Sequence, residues 1–173
     1  MSISSIWRKF GNERFRFLHL SIIMISIFAL VVAYYAQHVI GLAPCPLCIY
    51  QRVPYAVLIK ISLMSLIFAR IEKYAIPAIA LTLLCAICLS AYHSAIERGF
   101  IEASAHCTTF AKIPEKASIE DSIKMLMEAP IASCSKAAIK VLGVSMTEWN
   151  LLLNIFVLYV VAMVWREQKH AKT

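Results

Sequence analysis

The sequence contains little charge. Only 16% of its 173 residues are charged, whereas 61% are hydrophobic, and the mean hydropathy is +0.74. Soluble globular domains have a much more polar composition. The scarcity of charge therefore excludes an ordinary soluble domain and indicates a protein that lies in a bilayer.

No internal repeat and no low-complexity tract interrupts the sequence. Four apolar stretches are instead long enough to cross a bilayer as helices, which takes roughly 20 residues each. Backbone amides cannot be left unpaired in lipid, so the sequence predicts an all-α membrane protein, a four-transmembrane-helix bundle forming one domain over residues 1–173. The predicted helices lie at about residues 16–37, 49–69, 74–95 and 148–165.

The first apolar stretch lacks the A-x-A-like cleavage site that follows a signal peptide. It is also longer than the apolar region of such a peptide. Although basic residues precede it, we interpret it as a transmembrane helix.

Lys and Arg are absent from the first predicted loop, at about residues 38–48. By the positive-inside rule this loop and the long loop at about residues 96–147 face outward, and both termini are cytoplasmic. The net charge of +7 then lies mostly on the cytoplasmic rim, where it suits anionic lipid headgroups rather than nucleic acid. The basic residues of this rim are Arg8, Lys9, Arg14, Arg16, Arg70, Lys73, Arg166, Lys169 and Lys172.

The long outer loop contains a stretch with helical periodicity. Ile119, Ile123, Leu126 and Met127 recur at helical spacing, with charged residues between them. This pattern predicts a short amphipathic helix on the outer surface of the membrane, which Pro130 ends.

The predicted topology places a C-x-x-C pair, Cys45 and Cys48, in the first outer loop. Two thiols at this spacing can close a small ring and so take up or release two electrons. The start of the following helix favours the thiolate, which is the reactive form. We interpret this pair as redox-active rather than as a structural disulfide.

The other cysteines form two further pairs. Cys107 and Cys134 lie in the long outer loop, where they either staple the loop or relay a disulfide to the first pair by thiol–disulfide exchange. Four outward cysteines allow three connectivities, so spacing leaves the pairing open. Cys85 and Cys88 also read C-x-x-C, but they fall in the middle of the third helix, where we expect apolar packing rather than chemistry.

Two further side chains are candidates for a site at this level of the membrane. Arg52 follows Cys48 by four positions and shares its helix face, where a guanidinium either donates to a developing oxyanion, as on a reduced quinone headgroup, or snorkels to lipid headgroups. His93 ends the third helix on the same side and either shuttles protons or is simply hydrated. Lys60 lies deep in the second helix, and the first three predicted spans contain no acidic residue.

Several of these residues form strings that resemble the disulfide bond formation protein B (DsbB) family. The P-C-x-L-C-I-Y-x-R string of Pro44 to Arg52 is highly specific, and the resemblance extends over nearly the whole chain. The other matching features are the run Gln37-His38-Val39, the two outer-loop cysteines, and Gly143-Val144-Ser145-Met146 leading to Trp149.

The resemblance implies an inner-membrane oxidoreductase that re-oxidises the periplasmic thiol oxidase DsbA and passes electrons to ubiquinone or menaquinone. It implies that the reduced partner attacks Cys107, which pairs with Cys134. Cys45 and Cys48 would be the pair coupled to the quinone, and we hypothesise that a Cys48 thiolate interacts with the quinone ring. By the same resemblance Arg52 would bind or polarise the quinone, and His93 would correspond to a family histidine near it.

The sequence departs from the family at the run Ala137-Ala138-Ile139-Lys140, at Lys60 and at the Cys85/Cys88 pair. A DsbI-type paralogue that serves another thiol partner is therefore an alternative. A second alternative is a structural four-helix membrane protein with disulfide-stapled loops. A metal site is not expected, because His106 beside Cys107 is the only adjacent Cys–His pair in the sequence.

Overall fold

A computed structural model describes residues 3–68, 71–102, 108–109, 132–134 and 139–170 of the chain. Helices make up most of these residues. In chain order they are α1 (Ile3–His38), α2 (Pro46–Tyr50), α3 (Arg52–Ile67), α4 (Glu72–Glu97) and α5 (Met146–His170).

Four spans are long and apolar enough to cross a membrane, as the sequence predicted. They are Glu13–His38, Pro46–Ile67, Tyr74–Glu97 and Met146–Glu167. The second span combines α2 and α3, since Gln51 between them keeps a helical conformation. The protein is a multi-pass membrane protein with four spanning helices.

The helices pack as a bundle in which each spanning helix has two neighbours. Helix α3 packs against α1 and α4, and α5 packs against α4 and α1. The residues that fill the centre are apolar and come from all four spans. They are Phe15, Leu18, Ile22, Tyr55, Leu58, Ile76, Ile79, Leu83, Val157 and Val161.

Large apolar side chains also cover the outside of the bundle. In water such a surface would be costly, but lipid tails are as apolar as these side chains and can contact them freely. The exposed surface therefore fits a protein surrounded by lipid. Examples from each span are Phe28, Leu63, Leu81 and Phe156.

A two-residue turn and a capping box fix the start of α5. Strands β3 (Lys140–Val141) and β4 (Val144–Ser145) pair antiparallel around Leu142 and Gly143. Both turn residues have positive φ, 55° and 81°, as a type I′ hairpin requires. The Gly143-Val144-Ser145 string noted in the sequence therefore forms the second half of this hairpin.

Ser145 then begins the helix through reciprocal hydrogen bonds with Glu148. The Glu148 backbone N–H donates to Ser145 Oγ over 3.2 Å, and the Ser145 backbone N–H donates to Glu148 Oε2 over 3.1 Å. This is a capping box, which satisfies donors that a helix start otherwise leaves unpaired. It fixes the first turn of α5, which carries Thr147 and Asn150 into the site described below.

Two short strands of the long loop also pair. Strand β1 (Thr108–Thr109) runs antiparallel to β2 (Ala132–Ser133), directly before Cys134. The pairing holds the two ends of the intervening loop together. The amphipathic helix predicted around residues 119–128 lies outside the described residues.

Ion pairs tie α5 to other helices at both ends of the bundle. At one end Arg14 Nη1 of α1 lies 2.9 Å from Glu167 Oε2, with both side chains mostly exposed. At the other end Arg98 Nε donates to Glu148 Oε1 over 2.6 Å. The C-x-x-C pair lies at the second end, because the start of α2 packs there with Ile96 and Cys134.

Candidate functional site

Cys45 is the N-cap of α2, so the C-x-x-C pair forms the first turn of a helix. Pro46 occupies the first helical position, where its fixed φ suits a helix and its missing N–H costs nothing. The Cys48 backbone N–H donates to Cys45 Sγ over 3.3 Å, as a capping side chain should accept. The helix begins at Pro46 rather than at about residue 49, because proline and the cysteine cap extend it beyond the apolar stretch.

The two sulfur atoms of the C-x-x-C pair are in direct contact. Cys45 Sγ donates to Cys48 Sγ over 2.8 Å, and a disulfide of roughly 2.05 Å needs only a small approach from there. That hydrogen bond and burial raise the pKa of Cys45 above its ordinary value of 9.0. Cys45 therefore holds its proton. Cys48 is less buried and is the more accessible of the two thiols.

Cys134 and His93 meet Cys45 at this point. One ligand atom of each residue lies within 4.8 Å of the others, and all three residues are buried. Cys134 is brought there by the strand β2 and His93 by the last turns of α4. The structure thus brings together three of the predicted site residues, while Cys107 lies outside the described residues.

His93 has polar neighbours on both ring nitrogens. Its Nδ1 lies 3.4 Å from Thr147 Oγ1, and Thr147 uses its hydroxyl proton to donate to Glu97 Oε1 over 2.8 Å. This arrangement favours the neutral tautomer with its hydrogen on Nδ1, which leaves Nε2 as an acceptor. Nε2 lies 3.6 Å from Cys45 Sγ and 3.7 Å from Glu97 Oε1.

A cavity of about 660 Å³ opens beside Cys45 and Cys48. Small-molecule sites are typically of this size, with mostly apolar walls and a few polar groups. The apolar side comes from α1, and polar side chains collect near the cysteines. These polar lining residues are Gln37, Gln51, Arg52, Tyr55, His93, Glu97, Thr147 and Asn150.

Arg52 lies in the wall of this cavity and is held on two sides. Its Nη1 donates to Gln37 Oε1 over 2.6 Å, and its guanidinium carbon lies 4.9 Å from the centre of the Tyr34 ring. The first contact links the two family strings that contain Gln37 and Arg52. A guanidinium fixed in this way is oriented before any ligand arrives.

Two buried donors in the same wall have no hydrogen-bond partner among the described residues. They are Arg52 Nε and Gln51 Nε2. A buried unpaired donor costs free energy, so a site that leaves two beside a cavity suits a ligand with carbonyl oxygens. Sequence reasoning missed Gln51, although its place inside the specific string was a usable signal.

Two polar residues that line the cavity, Tyr55 and Asn150, belong to a hydrogen-bond network between three helices. Tyr55 of α3 donates its hydroxyl hydrogen to Asn150 Oδ1 of α5. Asn150 in turn donates to Ser90 Oγ of α4 over 2.9 Å, and Asn154 Nδ2 donates to the Asn150 carbonyl over 2.8 Å. The network fixes α3, α4 and α5 around the cavity.

Three residues that the sequence singled out lie away from this site. Cys85 and Cys88 are exposed on the outer surface of α4, where their apolar contacts are with lipid rather than with the core of the bundle. Their helix turns Leu83 and Ala86 inward instead. Lys60 is exposed on the outer surface of α3.

These features define a class of protein: a four-helix membrane protein with a thiol pair at a helix start and an apolar cavity beside it. Comparison with known proteins places the chain more closely. The sequence model of a family described as disulfide bond formation protein DsbB matches residues 15–165. The chain belongs to this family, and membership supports a disulfide-forming oxidoreductase function.

Individual relatives are similar to this chain over most of its length, and two of the three described here carry the family name. The uncharacterized protein RP370 of Rickettsia prowazekii is 47% identical over 153 residues, which cover 88% of this chain and 89% of the relative. Disulfide bond formation protein B of Pasteurella multocida is 30% identical over 131 residues, 74% of this chain and 71% of the relative. Disulfide bond formation protein B 2 of Pseudomonas aeruginosa is 30% identical over 132 residues, 74% and 77% respectively.

Proposed function

We propose that the protein re-oxidises a DsbA-like periplasmic thiol oxidase and passes the two electrons to a membrane quinone. It would do so in the bacterial inner membrane, with both termini in the cytoplasm and the C-x-x-C end of the bundle in the periplasm. The observation that carries the proposal is the position of Cys45 and Cys48 between a cysteine of the outer loop and an apolar cavity.

The loop cysteine supports the first half of the proposal. We propose that the reduced partner attacks Cys107, whose disulfide mate is Cys134, and that Cys134 is thereby released as a thiol. Because Cys134 lies within 4.8 Å of Cys45, thiol–disulfide exchange can then pass the two electrons to the Cys45–Cys48 disulfide. The second thiol of the partner displaces Cys107, so the partner leaves as a disulfide, and the freed Cys107 thiolate then breaks the transient Cys134–Cys45 bond. Both helix-start cysteines end as thiols, and the loop pair is a disulfide again.

The cavity supports the second half. When bound, a quinone accepts two electrons and two protons and becomes a quinol. The unpaired donors Arg52 Nε and Gln51 Nε2 fit its carbonyl oxygens, and the apolar wall from α1 fits its ring and the start of its tail. Arg52 would orient the headgroup, with Gln37 holding the guanidinium in place.

The protons of the thiol pair need an acceptor, and His93 is placed to provide one. Cys45 keeps its proton because its pKa is raised, while His93 Nε2 lies 3.6 Å from its sulfur with a free lone pair. Glu97 Oε1 lies 3.7 Å from the same nitrogen, and its negative charge would stabilise the imidazolium that forms. We propose that His93 takes the Cys45 proton as the disulfide closes.

Turnover of single-cysteine variants tests the proposal. Purified protein would be supplied with a reduced thiol oxidase and a soluble quinone, and loss of quinone absorbance would be recorded. Cys45→Ala and Cys48→Ala are expected to abolish turnover, whereas a Cys85→Ala/Cys88→Ala variant should match the wild type because that pair faces lipid. Full turnover in either helix-start variant would contradict the proposal.

A further inference from the structure

The contact of Cys45, His93 and Cys134 has the donor set of a soft-metal site. Two sulfur atoms and one imidazole nitrogen lie within 4.8 Å of one another. The three residues are only 5%, 1% and 0% exposed. Zinc prefers Cys and His ligands, and its bond lengths of roughly 2.0 to 2.3 Å put tetrahedral ligand atoms about 3 to 4 Å apart. The three ligand atoms therefore lie close to the separations that a tetrahedral zinc site requires.

The surroundings of His93 match those of a metal-bound histidine. In such sites the ring nitrogen that does not bind the metal usually donates to an outer partner, which fixes the orientation of the ring. Here Nδ1 lies 3.4 Å from Thr147 Oγ1. Nε2, on the side of Cys45, is left as the nitrogen that can bind a metal.

A buried carboxylate supplies an independent sign of a missing ligand. The Glu97 side chain is 9% exposed, and its Oε1 lies 3.7 Å from His93 Nε2. Its Oε2 is buried and has no hydrogen-bond partner among the described residues. A buried carboxylate oxygen without a partner is costly, and a cation next to His93 would satisfy it.

We propose that the reduced protein binds one zinc ion through Cys45 Sγ, Cys134 Sγ and His93 Nε2, with the carboxylate of Glu97 beside the site. Both thiols lose their protons to solvent on binding, so the two thiolates balance the charge of the ion before Glu97 is counted. The site exists only while Cys45 and Cys134 are both thiols. Zinc therefore holds the protein in its reduced state, and any disulfide at either cysteine excludes the metal.

This inference does not require a quinone or a thiol oxidase, so it can fail or succeed independently of the proposed function. The experiment uses the purified full-length protein, reduced and kept free of oxygen, with Co²⁺ as the spectroscopic probe. A thiolate-bound tetrahedral cobalt site gives strong charge-transfer and visible bands. We expect these bands to saturate at one Co²⁺ per chain and to disappear when Zn²⁺ is added.

Variants assign the ligands. Loss of an outer partner typically weakens metal binding by roughly 10- to 100-fold, and Cys134→Ser and His93→Ala should each weaken Zn²⁺ binding by more than this. Glu97→Gln should weaken Zn²⁺ binding by less than Cys134→Ser does. The Cys85→Ser/Cys88→Ser variant removes the second C-x-x-C pair as a possible source of ligands. It should bind Zn²⁺ as tightly as the wild type. Each variant is first checked for an unchanged helical circular dichroism spectrum.

Three results with the reduced protein would overturn the inference. They are the absence of cobalt bands in the reduced wild type, bands that persist in Cys134→Ser, and bands that are lost in Cys85→Ser/Cys88→Ser. A fully oxidised sample must also give no bands. Bands that remain after oxidation would place the metal elsewhere.

Discussion

Cys134 Sγ lies within 4.8 Å of Cys45 Sγ, although 88 residues separate the two cysteines in the chain. The contact is buried and lies next to Ile96 at the end of α4. In the proposed function, it gives the disulfide of Cys107 and Cys134 direct access to the C-x-x-C pair, and electrons cross from the soluble partner to the membrane at this contact.

The contact predicts that a Cys45–Cys134 disulfide forms when each cysteine is deprived of its usual mate. In a Cys48→Ser/Cys107→Ser variant, mild oxidation should link the two, since their sulfur atoms need to move by only a few ångström. Peptide mass mapping measures the link. A matched variant that also carries Cys134→Ser should show no such link, and a double variant that keeps both thiols after oxidation would contradict the geometry.

Arg52→Ala is predicted to raise the apparent KM for quinone by roughly 10- to 100-fold. This corresponds to the loss of a charge-assisted hydrogen bond, worth about 1.5–3 kcal/mol. Arg52→Lys should recover part of the loss, because an ammonium keeps the charge but lacks the planar fork held by Gln37. Steady-state kinetics with varied quinone provide the measurement.

Arg14→Ala is the control for this prediction. Arg14 is 70% exposed at the opposite end of the bundle and pairs with Glu167, so its loss should leave the KM for quinone unchanged. If Arg52→Ala lowered only the amount of folded protein, with an unchanged KM, Arg52 would be a packing residue.

The reduced protein is predicted to lose stability in alkaline solution because of Cys45. The pKa of Cys45 is raised in the folded state above the ordinary 9.0. The contribution of the Cys45 thiol to the free energy of unfolding is therefore complete below pH 9. Above pH 9 this contribution falls by about 1.4 kcal/mol per pH unit, because the unfolded chain loses the proton first. Thermal unfolding of the reduced protein in detergent from pH 7 to pH 10.5 measures this slope.

Cys45→Ala is the comparison, because it removes the titrating group. The difference in melting temperature between the reduced wild type and this variant should be constant up to about pH 9 and shrink above it. A constant difference over the whole range would show that the Cys45 thiol is not stabilised by folding. Cys48→Ala should reduce the effect, since it removes the hydrogen bond that raises the pKa.

The sequence was sufficient to predict the spanning helices and the family, because apolar length and the Pro44 to Arg52 string are local features. It also predicted that Arg52 shares a face with Cys48, since four positions make one helical turn. The convergence of Cys134 and His93 on Cys45 could not be predicted in this way. It depends on contacts between segments that are far apart in the chain, and no local pattern around Cys134 specifies them.

Two other features depended on burial, which a single sequence does not reveal. Gln51 and Glu97 read as ordinary polar residues near helix ends, and only their unpaired buried atoms mark them as ligand-facing. Cys85 and Cys88 share a face, as their spacing predicted, but the sequence could not tell which face α4 turns to lipid. The small residues at Ala86 and Ser90 pack inward in their place.

A single-turnover experiment tests the central claim most directly. Fully reduced protein would be mixed with one equivalent of quinone without any partner, quenched with acid and alkylating agent, and mapped by mass spectrometry. The account predicts that a Cys45–Cys48 disulfide appears in step with the loss of quinone absorbance. Loss of quinone absorbance while Cys45 and Cys48 both remain alkylatable thiols would contradict it.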